Sequence, residues 1–396
     1  MTRVPEETRG DAMTGTNEQQ QQQGQLDHQH QHHPPTTTTS PHVPLSAIAP
    51  PLVLGGAGFS NQLHPNPASL PTRAIVHRAL DLGFRAIDTS PYYGPSEVLL
   101  GDALSQPALT AAHPRASFLI MTKVGRIAAD RFDYSPAWVR ASVARSLERM
   151  HTPYLDVVFA HDVEFVPVAD AVAAVGALLD LVREGKVRYV GISGYPLPRL
   201  VEVARAVRER FGRGVDAVQV WGQLTLQNTT LVDKGGLEGL RDAGVDCVFA
   251  SSPLAIGLLR RGGVPVGELG DWHPAPKGLR DAAAKASEYV EEGGAKLAEV
   301  ALKFAVAQAL AAGEEVGVKL LTILGGGTTH EIEDNWEVGS TVTDRHDAKK
   351  KAEETGVKNG HDGKEGLNAL LTEKELELVK GTQEILGEWV NYSLGG

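Results

Sequence analysis

Eight short apolar runs alternate with helix-length amphipathic stretches from Leu52 to Leu324, and no other feature constrains the fold of this chain as strongly. The runs are Leu52–Leu54, Arg85–Asp88, Phe118–Lys123, Leu155–His161, Val187–Ile192, Ala217–Trp221, Cys247–Ser251 and Leu320–Leu324. Each reads β-rich and continuous, as strands covered on both faces do. Between them the apolar spacing predicts helices at Thr72–Leu82, Ser96–Leu104, Pro136–Met150, Val168–Glu184, Pro198–Phe211, Val232–Ala243 and, in one or two pieces, Leu279–Ala312. Pro136 and Pro198 suit a first helical position, where the missing N–H costs nothing. This count and size predict an α/β fold, a (β/α)8 TIM barrel in a single domain. A doubly wound sheet is the runner-up and requires a Gly-x-Gly-x-x-Gly turn after the first strand. Leu54-Gly55-Gly56-Ala57-Gly58-Phe59 has the glycines but does not clearly lead into a helix, so the barrel is preferred.

Two segments stand apart from this pattern. Residues 1–44 hold Gln19 to Gln23, a His-rich tract from His28 to His33, and Thr36 to Thr39. Such polar tracts bury too little apolar surface to offset chain entropy, so a disordered tail is expected and no metal site is assigned to it. The barrel then spans 45–396, with a charged insertion near 339–366 where Lys349, Lys350 and Lys351 lie among acidic residues and glycine. A helix beginning at Thr329 is expected over 329–338, and Thr372 is expected to cap a last amphipathic helix. Lys and Arg total 38 against 49 Asp and Glu, a net charge of −11, which argues against a nucleic-acid partner. No apolar run is long enough to span a membrane, and the N-terminus lacks a secretory apolar core. Cys247 is the one cysteine, so no internal disulfide or thiolate cage can form. A cytoplasmic location without a membrane partner is the expectation.

In such a barrel, reactive side chains sit at the C-terminal ends of strands and in the loops behind them. The second strand ends at Asp88 and leads to Tyr92 and Tyr93; the third ends at Lys123; the fourth ends at His161. One Asp, one or two Tyr, one Lys and one His therefore share one rim. A tyrosine hydroxyl has an ordinary pKa near 10. A neighbouring Lys ammonium favours the phenolate, and a carboxylate keeps that Lys charged and oriented. A His beside the reacting oxygen can donate a hydrogen bond or relay a proton. The assembly is an acid–base device for an oxygen on carbon. No residue in it carries electrons, so a hydride-transferring cofactor is implied.

The segment Asp88-Thr89-Ser90-Pro91-Tyr92-Tyr93-Gly94-Pro95-Ser96-Glu97, followed by Leu100-Gly101, resembles the signature of the aldo-keto reductases. Thr122-Lys123 and Leu155 to Asp162 resemble its next two blocks. The resemblance runs from about Leu52 to Trp336 and implies a catalytic tetrad of Asp88, Tyr93, Lys123 and His161. It also implies that Ser193 and Gln219 hold a nicotinamide carboxamide, with Gly194 standing where the family has Asn. Ser252 and Leu254 fall in the loop that covers the pyrophosphate, and the family's frequent stacking Tyr is replaced by Ser251. Gly325, Thr328, Glu331 and Asn335 match the adenosine-phosphate block. NADP-using members carry a basic residue at the Glu331 position and often Lys at the Gly325 position, which implies NAD here, with NADP as the alternative.

Gln227 to Leu231, Ala250 to Leu259 and Asp271 to Pro274 are similar to loops of one branch, sugar dehydrogenases typified by plant L-galactose and fungal D-arabinose enzymes. That similarity implies oxidation of C1 of an aldose to the lactone by hydride transfer to NAD, with a small-molecule sugar as partner. Substrate contacts are expected from Phe59, Tyr92, Trp221 and Trp272. One rival is an NADPH-dependent aldehyde or ketone reductase using the same residues in reverse. Another is a nucleotide-binding regulatory subunit without catalysis, against which the intact tetrad argues.

Overall fold

The computed structural model describes residues 43–395 except 266, 268, 269 and 356–365. The tail up to residue 42 and residues 356–365 of the expected insertion lie outside the described residues. Eight parallel strands close into a barrel in chain order: β1 (Leu52–Gly55), β2 (Ala86–Asp88), β3 (Leu119–Val124), β4 (Leu155–Ala160), β5 (Val187–Gly194), β6 (Ala217–Trp221), β7 (Cys247–Ser251) and β8 (Lys319–Gly325). β8 returns to pair with β1 through Leu52–Thr322 to Gly55–Gly325. Strand alternation then sorts the side chains. Val53, Ala86, Met121, Val157, Phe159, Tyr189, Cys247, Phe249 and Leu321 fill the barrel interior. Their neighbours Leu54, Ile87, Ile120, Val158 and Val190 face the surrounding helices. Continuing the inward register in steps of two delivers Asp88, Lys123, His161 and, beyond Tyr189 and Ala217, Ser193 and Gln219 to the C-terminal mouth.

The helices are α1 (Leu45–Ile48), α2 (Thr72–Leu82), α3 (Ser96–Leu104), α4 (Pro107–Ala112), α5 (Pro136–Arg149), α6 (Val168–Arg183), α7 (Leu197–Phe211), α8 (Thr230–Asp233), α9 (Gly236–Asp242), α10 (Lys277–Glu292), α11 (Leu297–Val316), α12 (Thr329–Thr355), α13 (Leu367–Leu370) and α14 (Glu373–Leu386). Pro136 opens α5 behind Ser135, whose hydroxyl accepts the Trp138 N–H. The helix expected over Val232–Ala243 is broken, because Gly235 adopts a left-handed φ of 71° between α8 and α9. Thr372 and Glu375 cap α14 reciprocally.

Two expectations are corrected. Residues 339–355 are not a soft insertion; they continue α12 without interruption from Thr329 to Thr355. Ile332, Gly339, Val342, Thr343 and His346 form its buried side. Gly339 lets the helix approach β1, since a Cβ there would lie 2.8 Å from Leu52 Cδ1. Phe59, expected at the substrate, is fully buried in the layer between strands and helices, in a 3-10 turn over Gly56–Phe59. Its ring serves the core.

The barrel floor is made by a segment that periodicity alone does not mark. Leu45 and Ala49 join the interior cluster, and Leu45 is 0% exposed. Ser46 anchors them: its N–H and Oγ both bond the Asp246 carboxylate, at 2.8 and 2.6 Å. Tyr189 Oη donates to the Val43 carbonyl at 2.7 Å from inside the same end. Leu45→Ala opens a cavity beneath the interior layer and is expected to cost about 2–4 kcal/mol of unfolding free energy. Urea titration of the variant checks this; a loss below about 1 kcal/mol would mean that the floor collapses to refill the space.

Candidate active site

Lys123 is the hub of the mouth. Its Nζ donates to Asp88 Oδ1 at 2.9 Å, Asp88 Oδ2 at 2.8 Å and the Thr89 carbonyl at 2.9 Å. Both side chains are buried, so each charge relies on the other rather than on water. Gln219 Nε2 adds a third hydrogen bond to Asp88, at 3.1 Å to Oδ2. Burial raises the Asp88 carboxyl above its usual range, against the pull of Lys123 and Gln219. Burial works against the Lys123 ammonium, but Asp88 and Tyr93 outweigh it and hold the lysine above its ordinary value. Lys123 therefore stays charged.

Tyr93 lies on the loop after β2, with Lys123 Nζ 4.9 Å from its ring centroid. Here the sequence expectation needs amendment. Lys123 does draw the phenol toward ionisation, but burial is the larger effect, and Asp88 and Asp162 add to it. The net direction is upward, so Tyr93 is a protonated acid in the neutral range. His161 stands edge-on to both Tyr93 and Tyr92, at centroid distances of 6.0 and 5.9 Å. Burial lowers its pKa to about 3, with Lys123 and Arg126 adding to the effect and Asp162 opposing it. The imidazole is neutral. Its Nδ1 pairs with Ser90 Oγ at 3.1 Å; where Ser90 donates, Nε2 keeps the hydrogen, 3.5 Å from Asp162 Oδ2 at the edge of the mouth.

Several supporting groups carry no signal that sequence spacing alone would single out. Arg126 pairs with Asp162 and lies over the Tyr92 ring, 4.1 Å from guanidinium to centroid. Tyr134 Oη donates to the His161 carbonyl. Glu97 is fully buried and accepts from Thr122 Oγ1 at 2.8 Å, Ser146 Oγ at 2.7 Å and Arg149 at 3.2 Å. It thereby ties the helix behind Tyr93 to the strand that carries Lys123 and to α5.

The residues expected around a cofactor run along the neighbouring rim. Ser193 and Gln219 are buried register partners on β5 and β6. Gln219 Oε1 is buried without a hydrogen-bond partner among the described residues, an acceptor available to a bound amide. Behind β7, Ser252, Ala255 and Ile256 take positive φ values of 58°, 49° and 57°, a concentration of left-handed non-glycine residues around Leu254. Behind β8, Glu331 Oε2 accepts the Gly327 N–H at 2.7 Å, Thr328 Oγ1 accepts the Glu331 N–H at 3.1 Å, and Asn335 Nδ2 donates to the Gly325 carbonyl at 2.9 Å. These residues fit a dinucleotide: an open amide acceptor at one end and a glycine loop at a helix N-terminus at the other. Of the expected substrate contacts, Tyr92 stands at the tetrad, Trp221 packs on Tyr195 with centroids 4.4 Å apart, and Trp272 is 46% exposed beside His273. A separate cavity of about 870 Å³ lies on α7 around Val201, Arg205 and Asn391, and no tetrad residue borders it.

This arrangement moves a proton at an oxygen on carbon, beside a place for a hydride carrier. A family model described as the aldo/keto reductase family matches residues 51–353. D-arabinose 1-dehydrogenase of Saccharomyces cerevisiae is 40% identical over 294 residues, covering 73% of this chain and 83% of that protein. L-galactose dehydrogenase of Arabidopsis thaliana is 37% identical over 238 residues, 59% of this chain and 69% of its own length. L-glyceraldehyde 3-phosphate reductase of Escherichia coli is 32% identical over 201 residues, 47% of this chain and 54% of its own. No helix among the described residues is long and apolar enough to cross a membrane. The chain belongs to the aldo/keto reductase family, whose members are oxidoreductases that use nicotinamide cofactors.

Proposed function

We propose that the protein oxidises the C1 hydroxyl of a cyclic aldose to the lactone, with NAD as the electron acceptor. The observation that carries this reading is the closed Asp88–Lys123 pair beside Tyr93 and a neutral His161. It is joined by similarity to two sugar dehydrogenases over most of their length. When bound, the nicotinamide supplies the hydride acceptor. The residues do the rest: His161 Nε2 hydrogen-bonds the C1 oxygen, and Tyr93 takes the hydroxyl proton as the C1–H leaves with its electron pair. Lys123 stabilises the phenolate that must form first, and Asp88 fixes Lys123. Ser193 and Gln219 orient the cofactor ring. Ser252 and Leu254 cover the pyrophosphate, and Gly325, Thr328 and Asn335 surround the adenosine end. Tyr92, Trp221 and Trp272 face the sugar. One buried thiol and no other cysteine suit the reducing cytoplasm.

The reductive reading is kept because Tyr93 sits above its ordinary value and so starts as a proton donor. By microscopic reversibility the same groups reduce an aldehyde when fed NADPH. The test is reduction of NAD across D-arabinose, L-galactose, L-fucose and D-glucose. At least one pentose or 6-carbon aldose should be turned over. No sugar turnover together with NADPH-dependent aldehyde reduction would replace this reading with the reductive one.

NAD preference is argued from Glu331. Its carboxylate lies on the Gly327 N–H, in the loop where a 2′-phosphate would add like charge. A ribose hydroxyl meets the same oxygen as a donor. Wild type is expected to show a higher kcat/KM with NAD than with NADP. Glu331→Arg should narrow that ratio at least several-fold. A wild-type preference for NADP would overturn the assignment.

A further inference from the structure

Arg126 lies two residues beyond β3, at the edge of the mouth, and no step of the proposed oxidation uses it. A short hairpin presents it: the Ile127 N–H donates to the Arg131 carbonyl and the Asp133 N–H to the Gly125 carbonyl, both at 2.8 Å. The guanidinium lies 4.1 Å from the Tyr92 ring centroid, 5.6 Å from Phe132 and 5.5 Å from Phe165. Three rings thus shield a cation whose side chain is 18% exposed.

What Arg126 holds is Asp162 Oδ2. The same oxygen lies 3.5 Å from His161 Nε2. Two nitrogens therefore face one acceptor atom. Ser90 decides which hydrogen the imidazole carries: its Oγ accepts the Tyr92 N–H at 3.1 Å, and its own hydrogen is left for His161 Nδ1. Nε2 then keeps a hydrogen. A buried carboxylate beside such an N–H ordinarily draws it into a short bond and favours the imidazolium. Here the separation is too long for that bond, and the ring is neutral. Arg126 supplies the reason, because it neutralises the carboxylate and occupies the oxygen that the imidazole would use. The groups that face the imidazole are Lys123 and Arg126 from β3 and its loop, Ser90, Tyr92 and Tyr93 from the loop behind β2, and Asp162 beside it. Asp88 is engaged by Lys123, and Glu164 and Tyr134 are close enough to feel the Asp162 charge. Asp162 is the anion that can claim the Nε2–H.

We propose that Arg126 is a positioning residue for the proton transfer: by occupying Asp162 Oδ2 it keeps the His161 Nε2–H off the carboxylate and open to the C1 oxygen of the sugar. This rests on the aldose-oxidation reading of the site.

The test is Arg126→Met, which keeps an apolar stem among the rings and removes the charge and the donors. With the sugar that wild type turns over fastest, kcat should fall about tenfold or more, the share of one hydrogen bond to the reacting oxygen, while KM stays within about threefold. The imidazole gives a readout that needs no sugar. In protein carrying isotope-labelled histidine, with His161→Gln to assign its nuclear magnetic resonance signals, wild-type His161 should stay neutral from about pH 5 to 8. In Arg126→Met the freed carboxylate raises the ring, so His161 should titrate inside that window, charged at the acid end and neutral at the basic end. Arg126→Met with Asp162→Asn also removes the competing carboxylate, and Asn tolerates the left-handed backbone at 162, where φ is 57°. This double variant should return His161 to neutrality and kcat to within about fivefold of wild type. It carries the test by itself if Tm shows that the single change, which leaves a buried carboxylate unpaired, unfolds the chain. A His161 that stays neutral in Arg126→Met would overturn the proposal. So would a raised KM with kcat unchanged, or a double variant slower than that range, since either would place Arg126 on the sugar itself. A wild type that turns over no sugar, with the His161 titration as expected, would overturn the aldose reading and not the role of Arg126.

Discussion

Tyr93→Phe is expected to lower kcat for sugar oxidation by about 10²–10⁴-fold while leaving the dissociation constant for NAD near the wild-type value. The substitution keeps the ring, its edge contact with His161 at 6.0 Å and its place over the Lys123 ammonium. It deletes only the oxygen that takes the proton. The pH profile supplies a second readout. Oxidation needs the phenolate, and burial holds Tyr93 above the ordinary tyrosine value. Deprotonation is therefore incomplete at neutral pH, and kcat should climb as pH rises from 7 toward 10. The climb should vanish in the Phe variant. A loss of less than about tenfold would transfer the proton acceptor to Tyr92 or His161, and stopped-flow measurement of the hydride step would separate those two.

The second large effect falls on stability. Lys123→Met removes the partner of a fully buried carboxylate and leaves Asp88 with the Gln219 contact alone. Breaking a buried pair on one side typically costs about 3–5 kcal/mol, because the remaining charge stays desolvated. The companion variant Asp88→Asn with Lys123→Met removes both charges. It should regain most of that loss in urea or thermal unfolding, because two neutral side chains of similar volume can repack. Activity should stay lost in both. A double variant as unstable as the single one would mean that the pair contributes through shape rather than charge.

The barrel is legible in the sequence because parallel strands buried on both faces cannot hide: eight apolar runs at regular spacing leave few other architectures. The rim is legible for a related reason. Once the strands are drawn, Asp88, Lys123 and His161 fall at three consecutive strand ends. What stays hidden depends on contacts between segments far apart in the chain. Leu45 is held in the barrel by contacts far away in the chain, among them the bond of its neighbour Ser46 to Asp246, 200 residues on. Beyond Ile332 the buried face of α12 carries Val342 as its one apolar side chain among Gly339, Thr343 and His346, so the charged stretch around it reads as a loop. Phe59 sits next to a glycine-rich turn at the end of β1 and looks like a mouth residue until its burial is known. The upward direction for Tyr93 was likewise invisible, since spacing reveals which charge is near and not how much water is gone.

Cys247 offers a different use for the filled interior. It is wholly buried at the start of β7, and burial raises its thiol far above the ordinary cysteine value. Neither alkylating reagents nor peroxide meets a thiolate there while the strands stay closed. The chain's one sulfhydryl is thus a silent witness to catalysis and a clock for barrel opening. The rate at which it is labelled in native buffer measures how often β7 parts from its neighbours, with no engineered probe.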